Sequence, residues 1–182
     1  MKITESLYVP NRKGWRSWLK ENHKTKKEIW LVYYSKKSGK ERVPYNDAVE
    51  EALCFGWIDS TVKKIDIHSF AQRFSPRNPK SSWSEMNKER ARRLIASKKM
   101  TKAGLALLGN THLEEFIVPK DILKVLQADK EVWKNFKKFP EGYKRIRIGF
   151  IDASRNRPDF FKKRLGYFLK MTKQNKMFGM VR

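Results

Sequence analysis

The stretch WIDSTVKKIDIHSFAQRFS, residues 57–75, decides the fold of the first half of this chain. It contains two runs of strand character, residues 57–66 and 69–75, which are joined by a short polar link. Upstream, the run KEIWLVYYSKK, residues 27–37, alternates between two largely apolar faces, as a strand covered on both faces does. Together these runs predict a small antiparallel sheet of about three to four strands.

Helical periodicity lies on both sides of the first strand. Residues 12–22 follow Asn11, a good N-cap, and carry an aromatic stripe at helical spacing. Residues 45–54 carry a second apolar stripe, and Gly56 suits the end of that helix. Cys54, the only cysteine, falls near the apolar side of this helix. We therefore expect a buried, inert thiol rather than a nucleophile.

The second half of the chain is helical by pattern throughout. Ser82 and Glu85 fit a capping box, which predicts a helix from Ser82 to about Lys98. A short helix should follow near residues 101–109, and later helices should begin after four capping or opening residues. These four residues are Pro119, Asp129, Pro140 and Pro158.

A local loss of charge marks the expected boundary between the two parts. Residues 101–120 hold two basic and two acidic side chains, in contrast to the strongly basic remainder. The sequence thus predicts an α+β fold: an α+β part over 1–110 and a helical C-terminal part over 111–182, packed as one unit.

The net charge is +23, which predicts an anionic partner. Residues 1–100 carry 23 basic and 11 acidic side chains, net +12, and residues 101–182 carry 19 and 8, net +11. This even spread indicates a basic surface rather than a basic tail. Either the surface binds a small anion or a polyanion such as nucleic acid, or it is simply solvated.

Several other classes of protein find no support in the sequence. No apolar run is long enough for a membrane span, and residues 1–15 lack the uninterrupted apolar run of a signal peptide, so we expect a cytoplasmic protein. The three histidines, His23, His68 and His112, have no helical partner or cysteine pair at metal-binding spacing. We therefore expect no metal and no cofactor.

The segment FSPRNPKSSWSEMNKER, residues 74–90, is the strongest candidate for an anion site. A helix N-terminus presents unpaired N–H groups, and here basic and hydroxyl side chains precede it. Trp83 then provides either a stacking face or a lid on the core. The candidate ligand-binding residues are Trp57, Asp59, Arg73, Arg77, Lys80, Ser82, Trp83 and Asn87. The alternative is that these residues only cap a helix and face water.

Three blocks of sequence resemble a known family: VPYNDAVEEALCFGWIDS, AQRFSPRNPKSSWSEMNKERARRLI and MTKAGLA. In this order they are similar to the YdeI or OmpD-associated family, also called bacteriocin-protection proteins. The resemblance is specific over residues 15–107, and the chain from Pro119 resembles the family's helical C-terminal part more loosely.

The resemblance implies a bacterial stress-protection protein without an established reaction, linked to tolerance of cationic antimicrobial peptides. The first hypothesis is accordingly a non-enzymatic protein that binds an anionic ligand at the candidate residues. The alternative is a basic nucleic-acid-binding protein, in which the Lys and Arg side chains of residues 88–99 and 144–176 contact phosphates. An enzyme would need Asp59 as acid or base beside an arginine-held anionic substrate.

Overall fold

A computed structural model gives the fold and describes residues 2–111 and 113–179. His112, one of the three histidines considered above, lies outside the described residues. Four strands form one sheet: β1 (Ser6–Leu7), β2 (Ile29–Tyr34), β3 (Trp57–Lys64) and β4 (Ser69–Pro76). Eight helices accompany them: α1 (Arg12–Asn22), α2 (Tyr45–Cys54), α3 (Glu85–Ala96), α4 (Lys102–Leu108), α5 (Lys120–Ala128), α6 (Lys130–Lys138), α7 (Glu141–Asp152) and α8 (Pro158–Lys173). The α+β fold class is confirmed.

The sheet has the order β1-β2-β4-β3 and is mixed rather than purely antiparallel. β2 and β3 each pair antiparallel with β4, as the strand pattern predicts. The exception is β1, which pairs parallel with β2 through only two residues. A parallel edge strand of this length adds few hydrogen bonds, so the antiparallel pairs define the sheet.

Contacts divide the chain into two compact units. The N-terminal unit runs to Ser82 and continues through Ala91–Asn110, and the helical unit comprises Trp83–Arg90 and the chain from Thr111 onward. The predicted domain assignment over 1–110 and 111–182 stays a prediction.

In the N-terminal unit, Trp15 joins helix α1 both to the sheet and to helix α2. Trp15 of α1 is fully buried, contacts the ring of Phe74 with centroids 5.2 Å apart, and donates its indole N–H to the carbonyl of Ala48 at 2.9 Å. Helix α4 comes so close to the end of α2 that a Cβ at Gly104 would lie 2.5 Å from the Cys54 carbonyl oxygen. Only glycine fits there, which fixes α4 over Cys54.

The helical unit has its own apolar core. Apolar side chains from α5 to α8 form it, which fits the amphipathic patterns of these helices. Its largest fully buried member is Phe168 of α8, whose ring contacts Phe136 and Tyr143 at centroid distances of 6.2 Å and 6.3 Å. No helix within residues 2–111 and 113–179 is long and apolar enough to cross a membrane.

Candidate functional site

Two of the eight predicted site residues lie on strands of the sheet and are already engaged with partners in the same unit. Trp57 is 1% exposed and donates its indole N–H to the carbonyl of His23 at 3.1 Å, so it belongs to the core. Arg73 pairs with Glu28, with Nη2 2.6 Å from the carboxylate oxygen. Its positive charge is therefore already balanced by a neighbour in the same unit.

Arg77 is buried against the loop that follows β4 and is 7% exposed. Its Nη2 donates to the carbonyl oxygens of Ser81, at 3.2 Å, and Ser82. Burial lowers the pKa of this guanidinium. Arg77 thus holds the loop in shape, whereas Lys80 of the same loop is exposed to solvent.

The predicted capping box is wrong, because the helix begins later than expected. α3 starts at Glu85, and Ser84 is the N-cap: its Oγ accepts the N–H of Asn87 at 3.3 Å. Ser82 instead lies in the loop with its carbonyl bonded to Arg77. The hydroxyl expected to point at an anion from the first helical turn is therefore not at that position.

The remaining candidates, Trp83 and Asn87, belong to the helical unit. Trp83 is half-buried. Its exposure therefore lies between that of a solvent-exposed stacking face and that of a lid buried on the core, the two roles expected for it. The side-chain oxygen of Asn87 accepts from Arg90 Nη1 at 2.8 Å. Ligand binding by the eight residues stays a prediction, and six of them, including Asp59, lie in the N-terminal unit.

A pocket that the sequence analysis did not identify lies between α7 and α8 of the helical unit. Its volume is about 410 Å³. Aromatic and basic side chains dominate its lining: Arg147, Phe150, Phe160, Lys163, Arg164, Tyr167, Phe168 and Phe178, with Ile151. We call it the Arg147 pocket. Its walls are apolar rings, and every charged residue in its lining is a cation.

Arg147 is the unusual member of this lining because it is buried without a polar partner. It is 7% exposed, and its Nε has no hydrogen-bond partner. Among the described residues, no ion pair or hydrogen bond to its guanidinium is found. Instead its Cζ lies 5.1 Å from the ring centroid of Phe178 and 5.6 Å from that of Phe150. Ring faces stabilise a cation only partly, so burial lowers the pKa of Arg147.

The second arginine of the pocket is placed differently. Arg164 stacks its guanidinium 3.7 Å from the ring centroid of Phe150 and donates from Nη1 to the Phe150 carbonyl at 2.9 Å. Phe150 therefore lies close to two guanidinium groups, although it is 48% exposed. This exposed ring, together with Phe160 at 53% and Tyr167 at 50%, makes the rim apolar.

A signal for Arg147 was present in the sequence. Tyr143, Arg147 and Ile151 recur at a spacing of four on α7, and all three are buried. An arginine in the apolar register of an amphipathic helix is rare unless it is paired. The predictions treated it as one of many basic residues on a basic surface.

Comparison with known proteins identifies two family models along the chain. Residues 7–107 match a model described as a domain of unknown function (DUF8412), and residues 115–175 match one described as Bacteriocin-protection, YdeI or OmpD-Associated. No curated protein and no solved structure matches the chain. The family named from the resemblance is confirmed, but its match falls on the helical part rather than on the blocks quoted from residues 15–107. The chain therefore belongs to the DUF8412 domain family, whose model spans residues 7–107, and its residues 115–175 match the model of the bacteriocin-protection, YdeI or OmpD-associated family.

Proposed function

We propose that this protein contributes to bacteriocin tolerance as a non-enzymatic protein that binds an anionic, amphipathic small molecule in the Arg147 pocket. The observation that carries the proposal is the buried Arg147 guanidinium, whose Nε has no hydrogen-bond partner. The pocket lies within residues 115–175, apart from Phe178, and so within the stretch that matches the bacteriocin-protection family.

The energetics of a buried charge favour an anion at this position. A guanidinium taken out of water costs several kcal/mol by rough estimate unless a counter-charge or hydrogen bonds compensate it. Arg147 receives only the weaker support of two aromatic rings. A bound carboxylate, sulfonate or phosphate would supply both the counter-charge and acceptors for its N–H groups.

The remaining lining favours an apolar body behind the anionic group. The volume of about 410 Å³ falls in the range of small-molecule sites. Its aromatic rings offer contact area with fixed geometry, and the exposed Lys163 adds a third cation, after Arg147 and Arg164, at the pocket. The residues that line the pocket include no carboxylate, histidine, cysteine or serine that could pair with Lys163 or Tyr167 as a nucleophile with its base, which supports binding rather than catalysis.

The charge of the whole protein bears on how it would protect. With a net charge of +23, the protein repels a cationic peptide at long range. Direct capture of such a peptide is therefore disfavoured, whereas attraction of an anionic ligand is favoured. We propose that tolerance arises indirectly, through the anion that the protein binds.

The experiment is a fluorescence titration with 1-anilinonaphthalene-8-sulfonate, an aromatic anion of suitable size. Decanoate serves as a competitor, and butanol is the uncharged control. We expect saturable binding to the folded protein, displacement by decanoate and no displacement by butanol. In Arg147→Met the affinity should fall about tenfold or more, because charge-assisted hydrogen bonds are lost.

The matched control is Lys124→Met, which removes one positive charge from an exposed position of α5 in the same unit. We expect its affinity to equal that of the unchanged protein. Equal losses in both variants would reduce the effect to net charge and contradict the proposal. Displacement of the dye by a 20-nucleotide oligonucleotide but not by decanoate would also contradict it, in favour of polyanion binding.

A further inference from the structure

A second cavity lies on the sheet of the N-terminal unit and has the opposite electrostatic character. Its volume is about 480 Å³, and five of its lining residues carry the argument: Tyr33, Tyr45, Asp59, Phe70 and Gln72. We call it the Asp59 cavity. It shares no residue with the Arg147 pocket, so nothing in this inference rests on the function proposed above.

The strand register places these side chains together. Tyr33 of β2 pairs directly with Phe70 of β4, and their rings stack with centroids 5.1 Å apart and planes 4° apart. On the other side of β4, the pairing with β3 shifts between Asp59 and Val62. Such irregularities re-aim side chains at sheet edges and beside functional sites.

The side chains that hydrogen-bond to Asp59 in the described part of the chain are neutral. Its Oδ2 accepts the hydroxyl of Tyr45 at 2.7 Å and the Nε2 of Gln72 at 3.4 Å. Among the described residues, no lysine, arginine or histidine forms an ion pair with it. In a protein of net charge +23, a half-buried carboxylate without a cation is unexpected.

Tyr33 supplies a second unsatisfied group. It is 2% exposed, and its hydroxyl has no hydrogen-bond partner. Burial, with the charges of Tyr45 and Asp59 adding to it, raises the pKa of this phenol well above its ordinary value. The hydroxyl therefore stays neutral, and a buried neutral hydroxyl without a partner favours a ligand that can hydrogen-bond to it.

Arg42 is the basic residue whose charge acts on Tyr33, and it is already engaged elsewhere. Its Nη1 donates to the carbonyl of Tyr34 at 2.9 Å. This bond holds the Arg42 guanidinium at the backbone of β2, and no ion pair between Arg42 and Asp59 is found among the described residues.

We infer that the Asp59 cavity binds the ammonium group of a small primary amine. Asp59 supplies the counter-charge, the Tyr33 hydroxyl accepts one ammonium N–H, and the Phe70 and Tyr45 rings provide faces for the cation. A primary ammonium fits better than a quaternary one, since only the former has N–H groups for the two oxygens.

Saturation-transfer NMR and calorimetry with n-butylammonium test this inference directly. We expect binding of n-butylammonium, at least tenfold weaker binding of tetramethylammonium, and no binding of butanol or glucose. Asp59→Asn keeps an acceptor for Tyr45 but removes the charge, and should weaken n-butylammonium binding tenfold or more. Glu115→Gln, which removes one exposed negative charge from the other unit, should leave the binding unchanged.

Tyr33→Phe separates a binding role from a packing role. Removing an unpartnered buried hydroxyl should raise Tm by a few degrees, on the order of 2–4 °C, while weakening n-butylammonium binding. If Tyr33 only packs, this variant will bind n-butylammonium as the unchanged protein does, and the inference fails. Binding of butanol or glucose equal to that of n-butylammonium would overturn it as well, in favour of an uncharged ligand.

Discussion

The two units surround an arginine of their helices in opposite ways. In the N-terminal unit, Arg12 lies against three carboxylates of α2, at 3.0 Å from Asp47, 3.1 Å from Glu50 and 2.6 Å from Glu51. In the helical unit, Arg147 has no carboxylate partner among the described residues and lies against the rings of Phe150 and Phe178. The first arrangement offsets the cost of burying charge with opposite charges, whereas the second offsets it with ring faces alone in the described part of the unit.

The centre of the first arrangement is Glu51, which is only 2% exposed. Besides Arg12 it accepts a hydrogen bond from Arg16 Nη1 at 2.5 Å. Burial lowers the pKa of both arginines, but the hydrogen bond and charge of Glu51 outweigh it, so each pKa is raised overall. The comparison teaches that the partners of a guanidinium, and not its burial alone, set the direction in which its pKa shifts.

The largest effect should come from Glu51→Gln. This change leaves Arg12 and Arg16 facing a neutral amide inside the unit, and removing one partner of a buried ion pair is strongly destabilising. Because both arginines retain partial solvent contact, we expect a loss of about 2–4 kcal/mol in the free energy of unfolding, measured by urea denaturation. Glu41→Gln, an exposed change of equal charge in the same unit, should cost almost nothing. Equal losses would refute the pairing account.

An intermediate effect is expected for Arg77→Met. Arg77 resembles Arg147 in exposure but donates to the carbonyls of Ser81 and Ser82. Without Arg77 these two carbonyls lose a hydrogen-bond donor, so the free energy of unfolding should fall by about 1–3 kcal/mol. Lys80→Met removes the same charge from an exposed position of the same loop and should leave thermal unfolding unchanged. If Arg77→Met unfolds no earlier than Lys80→Met, Arg77 does not hold the loop.

The smallest effect, and one of opposite sign, is expected for Arg147→Met. Without a ligand, replacing an unpaired buried guanidinium by an apolar side chain of similar length should raise the free energy of unfolding by on the order of 1 kcal/mol. Thermal unfolding in buffer free of organic anions checks the sign. A clear destabilisation would mean that the rings alone compensate the charge, and the contrast with Arg12 would disappear.

Much of the fold could be predicted from local patterns. The helices over residues 12–22 and 45–54 and the strands β2 to β4 follow directly from periodicity and capping residues. Strand β1 could not, since two residues have no periodicity of their own and pair only through a tertiary contact. The start of α3 was misplaced for a related reason: the carbonyl of Ser82 bonds to Arg77, which the local sequence does not reveal.

The candidate sites were harder to predict because they depend on which charges find partners. From the sequence, both Arg73 and Arg77 look available to bind an anion. In the structure, Arg73 pairs with Glu28, and Arg77 donates to backbone carbonyls. Asp59 was one of the candidate residues, but the cavity around it depends on Tyr33 and Phe70 meeting across two strands. Pairing of this kind is a property of three-dimensional packing.

The close approach of α4 to Cys54 provides a built-in reporter of local motion. Cys54 is fully buried under a helix held by Gly104, and burial, with the charge of Glu51, raises the pKa of its thiol to about 11. In the closed state the sulfur of Cys54 is inaccessible to solvent and stays protonated, so a thiol reagent can react with it only when this region opens. As the chain has one cysteine, the labelling rate reads out the opening of this helix pair alone, without any engineered probe.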